Sequence, residues 1–504
     1  METKIIIVGA GIAGITTGCY ACMNGYKPII FEMHSVPGGL CAAWKRKGYT
    51  FDISMHLLTG SKGGTFHAMW KELGALQDQP FHYHDDLLRV EGREKNLTFG
   101  MDPRRLEEEM IALSPADAGL SKQFVRLISG KNLIKTMTLK PAEMMTAFDG
   151  MKMMSAVLGM WGTLRKCGKL TIQEFAQRFQ DPFLREAVRF TVDSPGWPMP
   201  QFPLFALSGF LHSAVREAGV PVGGSQKFVS RMADQYLKLG GEVQYESRVI
   251  DILVENDRAV GVRLADGSEH RADVLVWAGD GHSAIFDILG GRYLDDEIRN
   301  MYSTWMPVLP IVHVAMGVNR DFSKEAHRIV IELERPIVIA GQEHRWLYFL
   351  HHSFDPTMAP PGKSATEVWF ATHYEYWEEL ARDRPRYEAE KKRIADLTIA
   401  ALDRRWPGFA SQVEVVDVPT PMTYVRYTGN WKGSPDGWYI TRENMGARKP
   451  VWKLPGLSGF YMAGQWTRPF TGTILAALSG RQLIELLCKQ DGKRFVTGRK
   501  AGAV

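Results

Sequence analysis

Gly9-Ala10-Gly11-Ile12-Ala13-Gly14 follows the β-branched run Ile5–Val8 without a gap, and Glu32 closes a second apolar run 18 residues after Gly14. Glycines at this spacing do no bond chemistry of their own. They let a backbone approach a pyrophosphate: Gly9 permits the tight turn, Gly11 the close approach, and Gly14 the packing of a helix on a strand. Free N–H groups of Ile12 and Ala13 at the helix start would then face the phosphates. Glu32 would accept hydrogen bonds from adenosine ribose hydroxyls, which disfavours a 2′-phosphate there.

These residues require a strand, a helix to about Asn24 ended by Gly25, and a second strand over Pro28–Phe31. A second glycine pair, Pro37-Gly38-Gly39, comes shortly after the acid, and Gly48-Tyr49-Thr50-Phe51-Asp52 follows. Simple dehydrogenases do not need that extension. Here the chain resembles the flavoprotein superfamily of amine oxidases and phytoene desaturases, where an acid, a PGG and a G-[FY]-x-F-D segment wrap FAD. Two departures stand out. Leu40 occupies the place where many amine oxidases carry arginine, and Ile53-Ser54-Met55-His56 replaces D-x-G-x.

The resemblance extends down the chain. Pro221–Ser225 leads into a helix to Leu239, and Val260–Val262 with Asp266-Gly267 and Ala272–Val276 reads as a hairpin returning to a buried strand. By resemblance, the backbone at Val249 approaches the adenine side of FAD. Gly459–Gln465 matches G-[LF]-Y-x-A-G-[DQ], so Gly464, Gln465, Gly472, Thr473 and Ile474 would meet the flavin, with a helix from Ile474 to Cys488 aimed at its pyrimidine. Pro469-Phe470-Thr471-Gly472 is an altered form of the usual P-G-G. The Asp355–Lys363 loop, Thr420–Thr423, Arg426 and Gly429–Ser434 carry the likeness further.

The implied architecture is α/β. A discontinuous Rossmann-type FAD-binding domain would be assembled from residues 1–75, 215–290 and 425–490, and an α+β substrate domain from 76–214 and 291–424, with a flexible, frayed tail over 491–504.

Composition bounds the partners. The 504 residues are 45% hydrophobic and 23% charged, as in globular proteins, and the net charge of +5 is too weak and dispersed for a nucleic-acid partner. Cys19, Cys22, Cys41, Cys167 and Cys488 show no zinc-like clustering, and they suit a reducing, cytoplasmic setting. The Cys19/Cys22 pair falls in the apolar helix, where small buried residues are expected in place of a redox pair. The uncharged run Ile5–Met23 is accounted for as strand, turn and helix, not as a membrane span or secretory signal.

In the substrate stretches, methionines between Met137 and Met160 are interleaved with Phe148, Val157 and Leu158, near Lys131, Lys135, Lys140, Lys152, Arg165 and Lys166. Such a surface suits a bilayer face, hence peripheral membrane contact, or a core helix pair with methionine as filler. Trp305, Trp346, Tyr348, Phe349, Trp369, Phe370, Tyr374, Tyr376 and Trp377 would line one face of a sheet, as a pocket for an extended apolar substrate or as plain core. His56 is the side-chain candidate for proton exchange beside the flavin, with a structural role as the alternative. His344, His351, His352 and His373 lack metal-like spacing, and no metal site is expected.

The chain therefore reads as an FAD-dependent oxidoreductase of the phytoene desaturase and carotenoid isomerase type. It would move hydride between an apolar isoprenoid, carotenoid or fatty-acyl-like molecule and flavin, as desaturase, saturase or redox-neutral isomerase. A second dinucleotide fingerprint is absent, and the electron acceptor could be oxygen, a quinone or transient nicotinamide. A flavin amine oxidase is one rival reading. A non-catalytic lipid or isoprenoid-protein escort is the other.

Overall fold

In the computed structural model, residues 2–129, 138–158, 165, 167–207, 210–211, 217–445, 451–469 and 472–498 are described. Strand β1 (Lys4–Val8) lies at the centre of a parallel sheet, and its isoleucines are buried on both faces, as its unbroken apolar run demands. Helix α1 (Ile12–Met23) follows at once, and Gly25 leaves it with φ +74°. Strand β2 (Lys27–Phe31), strand β3 (Glu242–Gln244), strand β4 (Val274–Trp277) and strand β5 (Phe460–Met462) complete the sheet in the order β5-β4-β1-β2-β3, all parallel.

Close backbone approach holds α1 in place. A Cβ on Gly14 would sit 1.9 Å from the Gly9 carbonyl oxygen, so the helix presses directly on the turn. Helix α2 (Gly224–Lys238) and helix α3 (Gly472–Gln490) flank it. A Cβ on Gly18 would lie 2.6 Å from the Tyr236 ring, and one on Gly480 2.7 Å from the Ala13 oxygen. α3 begins at Gly472, two residues earlier than the expected Ile474.

Between β3 and β4 stands an antiparallel trio, Val249–Glu255, Arg258–Leu264 and Glu269–Arg271. The expected turn at Asp266-Gly267 is present, with Gly267 at φ +89°. A second, tighter turn precedes it, where Asn256 and Asp257 both take positive φ (48° and 55°), as a type I′ hairpin requires.

The other large sheet has seven strands drawn from both intervening stretches: Val413–Asp417, Ile311–Val318, Ser364–Ala371, Gln342–His351, Arg328–Ile339, Asp86–Glu91 and Asn96–Gly100 in spatial order. One pairing, Arg328–Ile339 with Asp86–Glu91, is parallel. Two corrections to the sequence reading follow. The aromatics do not share a face, because successive strand residues point to opposite sides. Tyr348 and Trp369 pack with one core while Phe349 and Phe370 pack with another, and Tyr374, Tyr376 and Trp377 belong to the helix Tyr374–Leu380.

Part of the tail is anchored, at Phe495 and Val496. The Val496 N–H donates to Asn24 Oδ1 at 2.8 Å, Phe495 packs on Tyr20, and the Arg481 guanidinium lies 4.9 Å from the Phe495 ring centre. Met137, Met160, Lys131, Lys135, Lys166, Phe470 and Thr471 lie outside the described residues.

Asp52 links the sheets to α2. Its buried carboxylate accepts from the Ser225 N–H at 2.5 Å and from the Ser225 hydroxyl, and its own N–H donates to Glu367 Oε1 at 3.2 Å. Replacing it leaves buried donors unmet. Asp52→Ala is expected to cost about 3 kcal/mol of unfolding free energy, read as a lowered urea midpoint with an unchanged slope.

Candidate functional site

A cavity of about 830 Å³ opens between the two large sheets. Gly9, Gly11, Ile12, Ala13 and Glu32 contribute one part of its wall, Gly38, Gly39 and Leu40 the next, and Val249 another. Gly464, Gln465, Gly472, Thr473 and Ile474 meet them there. His56 lines it too. Gly14 stands away from the cavity, against the Gly9 carbonyl, so its part is packing.

The local geometry follows from the glycines. Gly11 is the N-cap of α1 and provides no side-chain cap, and the first turn holds no acid, so the helix start presents uncovered N–H groups. Gly38 donates its N–H to the Ala10 oxygen at 3.0 Å, and a Cβ on Gly39 would come within 3.5 Å of the Gly11 Cα. Two backbones thus face each other with no side chains between them. Glu32 Oε2 accepts from the Ala10 N–H at 2.7 Å and Oε1 from the His34 N–H at 2.9 Å. These bonds orient the carboxylate and leave a lone pair on each oxygen for a ribose. An uncapped helix start, a side-chain-free cleft and an oriented acid are the donor set that a dinucleotide needs, and the residues fit FAD.

At the start of α3 the Gly472 N–H points to the Asp436 carboxylate, 3.3 and 3.4 Å from its oxygens, and both residues line the cavity. Asp280, at the end of β4, also lines it. Burial pushes its carboxyl up to about 7, against hydrogen bonds from the Ser283 and Trp431 N–H groups. Burial holds the Cys41 thiol up at about 12, so it stays protonated and unreactive.

The large sheet supplies Tyr348, Trp369 and Arg328 to the remaining wall, and the segment after the helix Pro182–Arg189 supplies Phe190, Val192 and Trp197. His56 packs edge-on to Trp369, with ring centres 4.7 Å apart. Burial, then the nearby Arg328 charge, lowers its pKa to about 3, and its Nε2 is buried without a partner. The imidazole is therefore neutral at physiological pH. Behind this wall the fully buried Glu367 lies 3.0 Å from His352 Nε2 and 3.0 Å from His313 Nε2. Burial would raise the Glu367 pKa, but the two imidazoles outweigh it and hold it low. His352 shifts the opposite way, burial lowering its pKa and Glu367 raising it to a net upward shift. Among the described residues no cluster is arranged to hold a metal ion.

Sequence reasoning did not single out Arg328, Glu367, His313, Asp436 or Asp280 as site residues. None stands in a local motif. The cross-strand register, such as His313 opposite Trp369, brings the sheet's own residues together.

The family model for flavin-containing amine oxidoreductases matches residues 12–482. The chain belongs to this family. Among its relatives, the chloroplastic prolycopene isomerase of Daucus carota is 24% identical, over 95% of this chain and 79% of that protein. A lycopene-forming phytoene desaturase of Paracoccus sp. is also 24% identical, over 93% of each chain. Among solved structures, an oxidoreductase from Methanosarcina mazei superposes with a TM-score of 0.62 at 16% identity, covering 96% of this chain and all of that one. A putrescine oxidase variant does so with 0.62 at 12%, covering 97% and 99%. The flavin-containing amine oxidoreductase family makes the protein a flavin-dependent oxidoreductase, and the dinucleotide cradle is the one FAD requires.

The depressed His56 has a measurable signature. Its folded-state value lies below the ordinary 6.5, so the stability it confers is complete above 6.5 and fades as pH falls toward 3. The stability of the wild type relative to His56→Gln is expected to fall by about 2 kcal/mol between pH 6.5 and 5, measured by urea unfolding at both values.

Proposed function

We propose that the protein uses FAD to move hydride to or from a carbon of a long apolar molecule, isoprenoid, carotenoid or fatty-acyl in kind, as a desaturase, saturase or redox-neutral isomerase. The observation that carries this reading is the continuity of the cavity. The glycine cradle opens onto a wall of Phe190, Val192, Trp197, Tyr348 and Trp369, with no acid among those side chains. Relatives named as acting on prolycopene and phytoene support the same substrate class.

Bound FAD supplies the hydride acceptor or donor. The chain's own residues would do the rest. Gly9, Gly11, Ile12, Ala13, Gly38 and Gly39 would hold the pyrophosphate, Glu32 the ribose, and Val249 the adenine side. Leu40, Gly464, Gln465, Gly472, Thr473 and Ile474 would border the flavin ring. The aromatic wall would exclude water and fix the chain against it. His56, neutral and wedged on Trp369, would shape the pocket and take up no second proton. The electron acceptor would be oxygen, a quinone or transient nicotinamide.

The amine oxidase reading is weakened by Arg328, a buried cation on the substrate wall that would repel an ammonium group. The escort reading has its counterpart in a Plasmodium falciparum Rab GDI with a TM-score of 0.51 at 11% identity, a likeness of fold alone.

Peripheral membrane contact belongs to the proposal. No described helix is long and apolar enough to cross a membrane. The helix Ala147–Leu158 leaves Phe148, Met151, Met154 and Leu158 exposed along with Lys152, and this suits a bilayer surface.

Two outcomes test the reading. Purified protein should absorb near about 450 nm, release FAD on denaturation and carry an apolar lipid detectable by mass spectrometry, whereas Gly11→Val should be folded but colourless. The protein should float with anionic vesicles, and Met151→Glu with Met154→Glu should reduce the floated fraction by about half or more at unchanged flavin content.

A further inference from the structure

Arg328 is 6% exposed, lines the cavity and lies at the start of a strand of the seven-stranded sheet. Its Nη2 donates to the His56 carbonyl oxygen at 2.9 Å, while Nε is buried and meets no acceptor. A guanidinium has five N–H donors in a rigid fork, and leaving it without an anion in the interior is costly.

Its neighbours do not answer that charge. His327 is buried and His56 and His84 are half-buried, and desolvation together with Arg328 and neighbouring imidazoles keeps them neutral. Tyr348 remains a phenol, its pKa raised by burial. Glu367 is already engaged by His313 and His352. Asp86 feels the Arg328 charge, but burial leaves its carboxyl raised on balance, and no ion pair joins the two among the described residues. Arg248, the other cation lining the cavity, adjoins Val249 in the trio next to the nucleotide-binding sheet.

We propose that Arg328 binds a carboxylate at the end of an otherwise apolar substrate, pairing through its free donor edge while Tyr348 and Trp369 flank the adjoining chain. The inference rests on the apolar-substrate reading above and narrows it to long-chain or polyene acids. Among the described residues a single cation lies on this wall, which matches one negative charge and favours a carboxylate over a diphosphate, and a carboxylate suits the fork geometry.

The test uses the flavin-loaded protein and cis-parinarate, a fluorescent polyene acid, against its methyl ester, at about pH 8 where the acid is ionised. Wild type is expected to bind the acid at least about tenfold more tightly than the ester. Arg328→Met should bring the two affinities to within about twofold while keeping flavin absorbance and ester affinity, and Arg328→Lys should retain part of the preference. Equal affinities in wild type, or a preference that survives in Arg328→Met, overturn the proposal. So does loss of flavin from Arg328→Met with the preference intact in the remaining loaded protein, which makes Arg328 a cofactor ligand. Should Arg328→Met not fold, the wild-type ratio and the lysine variant decide. Ester binding without acid preference sinks this inference and spares the apolar reading; binding of neither probe sinks both.

Discussion

The structure depends on how closely three helices and a turn can approach one another around α1. The helix start must stay uncovered to receive phosphates, so nothing at its own N-terminus can fasten it. It is fastened from the sides instead. Gly14 lies on the Gly9 carbonyl, Gly18 on the Tyr236 ring and Gly480 on the Ala13 carbonyl. Each contact is too tight for a side chain on the glycine. The exposed N–H groups and the buried flanks are two sides of one requirement, since α1 can leave its donors open because its position is set by packing.

A second requirement is that the apolar wall hold a fixed relation to this cradle. Glu367 meets it by accepting from the Asp52 N–H and sitting between His352 and His313, while Asp52 secures the first turn of α2. A buried carboxylate chain therefore runs from the seven-stranded sheet to α2. Buried polar groups tolerate little displacement once paired, so the seven-stranded sheet and α2 are tied together by electrostatics as well as by apolar contact.

How much of this was legible in the sequence varies with the range of the interactions. The cradle could be read because Gly9 to Gly14, Glu32 and Gly38-Gly39 act through local backbone geometry, which spacing encodes directly. The helix Gly472–Gln490 was legible as well, though its start slipped by two residues because glycine propensity argues against helix at Gly472. The aromatic wall was half legible: Tyr348 and Trp369 were found and Phe190 and Trp197 were not, and adjacency hid that strand alternation sends Phe349 and Phe370 to the far side. Arg328, His313 and Glu367 were not read as a group, because what unites them is strand pairing across tens of residues. In the tail, the polar composition conceals one anchoring ring, Phe495, whose partners are Tyr20 and Arg481.

The parallel sheet takes its outermost strand, Phe460–Met462, and the helix behind α1 from the final tenth of the chain. During translation the earlier segments leave the ribosome with that edge open and one flank of α1 bare. Prosthetic-group capture thereby waits until this strand and helix have been made, and a polypeptide terminated before them exposes apolar surface that quality-control machinery can recognise.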